Sequence, residues 1–354
     1  MSYKINKILP CLDFPVFTEN FLFLHQGRHI VKMDENFNIL WRSQQQSEVF
    51  DFAVIADKIL IIPDEKNLFC YHISDMRLDF QLHFEEKVAL LNQNHNKDKI
   101  CYLGTKTSDY QTFIKIDITT GKQISQATLT NIFTPYVFQH GIISIDFNHR
   151  EIIRKYNKDT LQLEWEHSLN SEFEIINNDS FIVIQVFEYK KHYLITSKSG
   201  TILLDGKTGN CIWKSFLQGR FEETFSPIYT DSTPSELKAF CNGENIYLID
   251  IDTEDIYLLT LFDNNNNHRL PQVSFNGVVY EPDRSTIYIY NDLFWYIIRD
   301  KGEAFLVIFS ALSEKYEQII PLGKGIIFSI YSFKDKVLIA NLDNVILFTL
   351  ENEM

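Results

Sequence analysis

Leu203-Leu204-Asp205-Gly206-Lys207-Thr208-Gly209-Asn210-Cys211-Ile212-Trp213 closes one apolar run, turns, and opens another; weaker copies recur every 40 to 48 residues. With the residue that ends each apolar run as the anchor, the series is Asp34, Ser74, Asp117, Asn157, Asp205 and Asp250, at steps of 40, 43, 40, 48 and 45. Threonine follows three residues after the anchor at Thr120, Thr160, Thr208 and Thr253, and glycine four after it at Gly121 and Gly209. Tryptophan falls eight residues after the anchor at Trp165 and Trp213, and seven after it at Trp41. Three of the four tryptophans therefore share one phase, which makes the spacing a repeat rather than a coincidence.

Each part of the motif has a physical task. Asp or Asn at the anchor accepts backbone N–H groups two residues on, threonine supports it, and glycine supplies the positive φ that closes the turn. The tryptophan then fills the space between one unit and the next. Further apolar runs, such as 14–17 and 21–24 or 136–138 and 142–145, bring the content to about four strands per unit. A period of forty-odd residues with four strands each predicts a β-propeller, whose blades bury their faces against neighbouring blades.

Asp205, Thr208, Gly209 and Trp213 resemble the anchor, turn and docking tryptophan of the pyrroloquinoline-quinone-type, or quinoprotein-like, propeller repeat. The preceding residues 193–201 resemble the strand and glycine turn that lead into it. The match is close in one unit and partial in four others. Asn210 stands for the usual lysine, Asn157 for the anchor aspartate, Leu161 and Glu254 for the turn glycine, and Ser125 and Leu258 for the tryptophan. These positions are structural, so the resemblance implies a fold and no chemistry. Quinone-dependent dehydrogenases with this repeat hold their cofactor and calcium over a larger ring and carry adjacent cysteines. This sequence has no adjacent cysteines, and no cofactor is expected.

Six anchors give six units, and a seventh hairpin is read at 305–309, after a step of 59 that holds an insertion. The last apolar runs, 326–331, 337–340 and 345–350, make three strands, while residues 5–9 form a free β-rich segment at the other end. The expectation is an all-β chain, one propeller domain over residues 1–354, with eight four-stranded blades. Pairing of 5–9 with 345–350 would close the ring and remove exposed sheet edges. Seven blades is the alternative, should the 270–320 region be parsed differently. No Pro/Gly/Ser-rich linker interrupts the series, and the tract 264–267 reads as a loop tip.

The formal net charge of −14 disfavours nucleic acid and anionic membranes as partners, because phosphate recognition needs clustered lysine and arginine. No window approaches eighteen consecutive apolar residues, and Pro10, Asp13 and Pro15 break any signal-peptide core. Cys11, Cys70, Cys101, Cys211 and Cys241 are widely spaced and odd in number, which fits reduced thiols in a cytoplasmic protein better than a disulfide framework.

Stretches that imitate catalytic or metal-binding motifs have plainer explanations in this sequence. Gly200 and Gly206-Lys207-Thr208 imitate a phosphate loop but have the wrong glycine spacing and no following helix. His25 and His29 flank the turn Gln26-Gly27-Arg28 between two strands, so a metal pair is not expected there. Asp250, Asp252, Glu254 and Asp255 lack the glycine and terminal glutamate of a calcium loop. No Gly-x-Ser-x-Gly elbow is present. No catalytic, metal or cofactor residue is nominated.

Loops on a rigid scaffold are where function concentrates. In a propeller the tight threonine-glycine turns occupy one face, and the longer loops 104–110, 218–226 and 263–270 belong to the opposite, converging face. They carry Asp109, Tyr110, Arg220, Phe221, Glu222, Glu223, Asp263, His268 and Arg269, aromatic residues ringed by charges as at protein interfaces. The reading is a non-enzymatic propeller that binds a basic protein partner; its most specific form is an inhibitor or immunity protein that occludes a toxin or effector. The rival is an enzyme or small-ligand sensor using a central channel.

Overall fold

A computed structural model describes residues 2–11, 15–43, 51–91, 98–106, 110–130, 132–146, 151–172, 183–189, 191–197, 200–216, 226–228, 239–242, 245–249, 256–259, 273–275, 277–280, 282–290, 293–310, 313, 315–324, 327–334, 336–341 and 343–351. Among the described residues the chain is strand and turn, with one short 3-10 segment, Leu169–Ser171. Contacts divide it into two compact units. One comprises Met1–Gln26, Met33–Asn38 and Leu217–Met354; the other comprises Gly27–Lys32 and Ile39–Phe216.

The second unit contains four antiparallel sheets, each a four-stranded meander in sequence order. Sheet A is Asp51–Ile55, Lys58–Ile62, Asn67–His72 and Leu78–His83. Sheet B is Val88–Leu90, Ile100–Lys106, Tyr110–Asp117 and Lys122–Thr130. Sheet C is Ile132–Phe138, Gly141–Asp146, Ile152–Tyr156 and Leu163–Ser168. Sheet D is Val183–Tyr189, His192–Ser197, Gly200–Leu204 and Cys211–Phe216. Second strands such as Lys58–Ile62 and Gly141–Asp146 are buried at every residue, so apolar side chains lie on both faces of the strand rather than alternating with exposed ones. One core joins A to B through Leu60, Leu68 and Cys70 against Cys101, Leu103 and Ile114. Others join B to C through Tyr102 and Phe113 against Ile142 and Leu161, and C to D through Ile153 and Trp165 against Tyr193 and Ile202.

The first unit contains three more four-stranded sheets. Sheet E is Ser226–Ile228, Ala239–Asn242, Asn245–Ile249 and Ile256–Leu259. Sheet F is Pro282–Tyr290, Leu293–Asp300, Glu303–Ser310 and Lys315–Lys324. Sheet G is Ile327–Phe333, Lys336–Asn341 and Asn344–Glu351, with Ser2–Pro10 as its fourth strand. Ile5 lies opposite Phe348 and Leu9 opposite Val345, so the two ends of the chain pair as the sequence predicts. The insertion expected before sheet F includes an extra hairpin, Val273–Phe275 with Val278–Tyr280. Strands Val16–Phe17 and Leu22–Gln26 pair with each other, and His29–Met33 and Ile39–Arg42 complete the strand inventory.

The repeated turn is visible in atomic detail. The Asp205 N–H donates to Asn210 O and its carbonyl accepts from Gly209 N, both at 2.8 Å, while Oδ1 accepts from Lys207 N and Thr208 N. Asn157 repeats the pattern with Gln162, Leu161, Asp159 and Thr160. In sheet A the same pattern belongs to His72, whose N–H donates to Arg77 O and whose carbonyl accepts from Met76 N. The anchor there is His72 and not Ser74, because the backbone turn, and not the end of the apolar run, fixes the phase.

In the turns of sheets A to D the residue four after the anchor has positive φ whether or not it is glycine: Met76 at 57°, Gly121 at 69°, Leu161 at 58° and Gly209 at 73°; the turn after Asp34 is one residue shorter, and Phe37 takes that role at 61°. The two glycines let a ring lie flat on the turn. A Cβ on Gly209 would come within 2.8 Å of Trp165, and one on Gly121 within 2.8 Å of Phe80. Phe80 and Trp165 each stand eight residues after their anchors, His72 and Asn157, so the ring of one sheet docks on the turn of the next. Sheet B has Ser125 at that docking position, and the next turn supplies the missing volume itself: Leu161 is buried with Tyr102 and Phe113. Trp213, expected to be buried like Trp165, is half-buried opposite Leu203. The turn that would receive it, with Glu254 at the glycine position, lies outside the described residues.

Candidate functional site

A second repeated feature escaped the sequence reading. Two residues before the anchor, Lys32, Lys115 and Lys155 are buried, where ammonium groups are costly unless paired. Each donates to the backbone of the following turn. Lys32 Nζ reaches Ile73 O at 2.5 Å and Ser74 O at 3.3 Å; Lys115 Nζ reaches Lys158 O at 2.9 Å and Asp159 O at 3.3 Å; Lys155 Nζ reaches Gly206 O at 2.6 Å. The receiving carbonyls follow the anchors His72, Asn157 and Asp205. In sheet A the same position is Cys70, whose Sγ lies 4.0 Å from Ile118 O, one residue past the anchor Asp117. Trp165 Nε1 also donates to Gly206 O, at 3.1 Å. Buried hydrogen bonds to charged donors are among the stronger ones, so these lysines clip successive sheets together. In the first unit an amide does similar work: Gln318 Oε1 accepts from Tyr3 N at 2.8 Å, and its Nε2 donates to Tyr3 O at 2.7 Å.

Ionisable groups at these junctions are tuned for structure. Burial pushes the Cys70 thiol up to about 12, which removes it as a thiolate nucleophile. Burial lowers the Lys32 ammonium and Asp75 works against it. The hydrogen bond from Lys58, 2.5 Å away, holds Asp79 below the usual carboxylate range. Backbone hydrogen bonds, led by those from Thr119 and Thr208 respectively, do the same for Asp117 and Asp205. Among the described residues no group of three metal-ligating side chains converges.

Of the nine residues nominated from sequence, Tyr110 is described, as the first residue of its strand opposite Thr130. Asp109, Arg220, Phe221, Glu222, Glu223, Asp263, His268 and Arg269 lie outside the described residues. Residues 104–106 and Tyr110, read as loop, belong to strands, because Gly104 pairs with Phe113 and Lys106 with Gln111. Gly200 is in a strand and Gly206-Lys207-Thr208 in a turn, which leaves no phosphate cradle. His25 is buried in its strand rather than exposed in the turn, and His29 Nδ1 lies 2.6 Å from Ser43 O. Among the described cysteines, Cys11, Cys70, Cys101 and Cys211 form no disulfide, and the first three are buried. The run 250–255 lies outside the described residues.

No family profile matches the chain, and no curated protein matches it. Among solved structures it is similar to BamB from Moraxella catarrhalis, with a TM-score of 0.58 at 10% identity over 100% of this chain and 99% of that one. It is similar to the computationally designed Ika8 protein, with a TM-score of 0.58 at 10% identity over 98% of both chains. The β-propeller domain of Cps50 (Swd1) from Myceliophteria thermophila aligns with a TM-score of 0.51 at 9% identity, over 99% of this chain and 100% of that one. At such identities the likeness carries the fold alone: the chain is a β-propeller.

Proposed function

We propose that this chain is a non-enzymatic, protein-binding propeller of the pyrroloquinoline-quinone-type repeat, a single domain over residues 1–354. In this reading the seven described sheets and the four strands of 16–42 make eight blades, and the pairing of Ser2–Pro10 with Asn344–Glu351 closes the ring. Its partner is a basic protein, and its role in the cytoplasm is to occlude that partner as an inhibitor or immunity protein does.

The observation that supports this reading best is the fate of the charges. The chain carries 33 Lys and Arg against 47 Asp and Glu. Among the described residues, Lys32, Lys58, Lys115 and Lys155 are buried, against Asp146 alone among the carboxylates. Part of the positive charge is therefore used inside, and the surface that meets a partner is more acidic than the net charge of −14 implies. An acidic surface on a rigid scaffold favours rapid encounter with a basic protein. Buried polar groups committed to junctions, and a thiol raised to about 12, support binding over catalysis.

Affinity purification of the tagged chain, followed by cross-linking and mass spectrometry, tests this reading. A basic protein cross-linked within the loops 218–226 and 263–270 is the expected result. An acidic partner, or cross-links confined to the anchor turns such as Lys207, would reject the proposed surface.

A further inference from the structure

One turn departs from the others in a way that changes its chemistry. At Asp34, Asp117, Asn157 and Asp205, the anchor's side-chain oxygen accepts the N–H two residues on. In sheet A that acceptor is an imidazole nitrogen: His72 Nδ1 receives Ser74 N at 3.3 Å and lies 2.8 Å from Ser74 Oγ. With its proton on Nε2, the ring donates to Asp57 Oδ2 at 3.1 Å. Oxygen anchors stay acceptors between pH 5 and 8; an imidazole in that range exchanges its acceptor for a donor.

The surrounding charges are specific. Asp57 belongs to the turn between the first two strands of sheet A, and its carbonyl accepts Ile73 N at 2.9 Å. Asp75 Oδ1 lies 3.8 Å from His72 Nδ1. Lys58, opposite His72 in register, is held by Asp79 at 2.5 Å and lies 3.8 Å from Asp57; Arg77 reaches Asp79 at 3.3 Å. Lys32 approaches from outside the sheet and grips the carbonyls of Ile73 and Ser74. Asp79 is thus answered by Lys58 and Arg77, while the half-exposed Asp57, shared with Lys58, and Asp75, which also acts on Lys32, face the ring.

We propose that His72 makes the 72–77 turn a pH-responsive junction: protonation at Nδ1 removes the acceptor of the Ser74 amide and creates a cation held by Asp57 and Asp75. The segment released is the one whose carbonyls Lys32 grips, so the change acts on the seam between sheet A and the strand that carries Lys32. Ser74, His72 and Asp57 also stand in the order of a nucleophile relay. The amides nearest Ser74 are already engaged, Met76 N with His72 O and Arg77 N with Asp75 Oδ1, so no oxyanion cradle forms beside it.

Amide hydrogen exchange followed by NMR tests the proposal, each rate divided by the unstructured rate at the same pH. From pH 8 to pH 5 the protection of the Ser74 amide should fall about threefold to tenfold, the worth of one neutral hydrogen bond. Lys207 and Asp159 amides, capped by oxygen anchors, should show no such change. His72→Asn, which installs the anchor found at position 157, should abolish the dependence. In the wild type, the His72 ring nitrogens and the Ser74 amide should titrate with one midpoint. Flat protection in the wild type, separate midpoints, or an unchanged dependence in His72→Asn would overturn it.

Discussion

Gly206→Ala lowers the stability of the chain by at least about 3 kcal/mol, beyond ordinary overpacking, because the obstacle is backbone rather than a movable side chain. A Cβ at residue 206 would stand 1.5 Å from Lys191 O and 2.7 Å from its carbonyl carbon. Relief requires shifting either the turn of sheet D or the connection before His192. The first shift carries away Gly206 O, which accepts from both Trp165 Nε1 and Lys155 Nζ. Gly302→Ala provides the comparison: φ is 85° with open space around it, so only the left-handed backbone cost of about 1–2 kcal/mol applies. Urea denaturation of both variants should place the Gly206 midpoint well below the Gly302 midpoint. Equal midpoints would contradict the packing assigned to this junction.

Trp165→Ala should cost about 3–5 kcal/mol, as for other large buried aromatics. The ring lies on Gly209, its Nε1 binds Gly206 O, and it packs within the core shared by sheets C and D. Trp213→Ala should cost less, because that ring is half-buried. Lys155→Met removes the other donor to Gly206 O, so its effect should combine non-additively with Trp165→Phe, with a coupling of about 0.5–3 kcal/mol. Thermal or chemical denaturation of the single and double variants reads all of this. A Trp165→Ala midpoint equal to wild type, or strict additivity, would show that the junction is not held as described.

The fold was legible because its determinants are local. Asp205, Thr208 and Gly209 make a turn by chemistry that needs no distant partner, and Trp165 and Trp213 stand in one phase eight residues after their anchors. The pairing of 5–9 with 345–350 followed from two unpaired β-rich ends. What stayed hidden depends on contacts between repeats. Ser125 and Leu161 each look like a loss of the motif, and only the packing of Leu161 with Tyr102 and Phe113 of sheet B shows what fills that junction. The series places the anchor at Ser74, since nothing in it suggests that an imidazole, that of His72, can replace a carboxylate as a turn acceptor. The lysines at 32, 115 and 155 did recur two residues before an anchor, so a scan of that position for buried-type exceptions could have found them. The nominated surface rests on loop length and charge in the sequence.

Association kinetics measured against salt test the central claim most directly, with the chain immobilised and the partner recovered by cross-linking in solution. Between about 0.01 M and 1 M salt the Debye length falls from about 30 Å to about 3 Å. Capture of a basic partner by an acidic surface predicts an on-rate that drops at least about tenfold over that range. Neutralising Glu222 and Glu223 should lower the on-rate, Phe221→Ala and Tyr110→Ala should mainly raise the off-rate, and a change at Lys207 on an anchor turn should do neither. A salt-insensitive on-rate, or a Lys207 variant as impaired as the loop variants, would contradict the account.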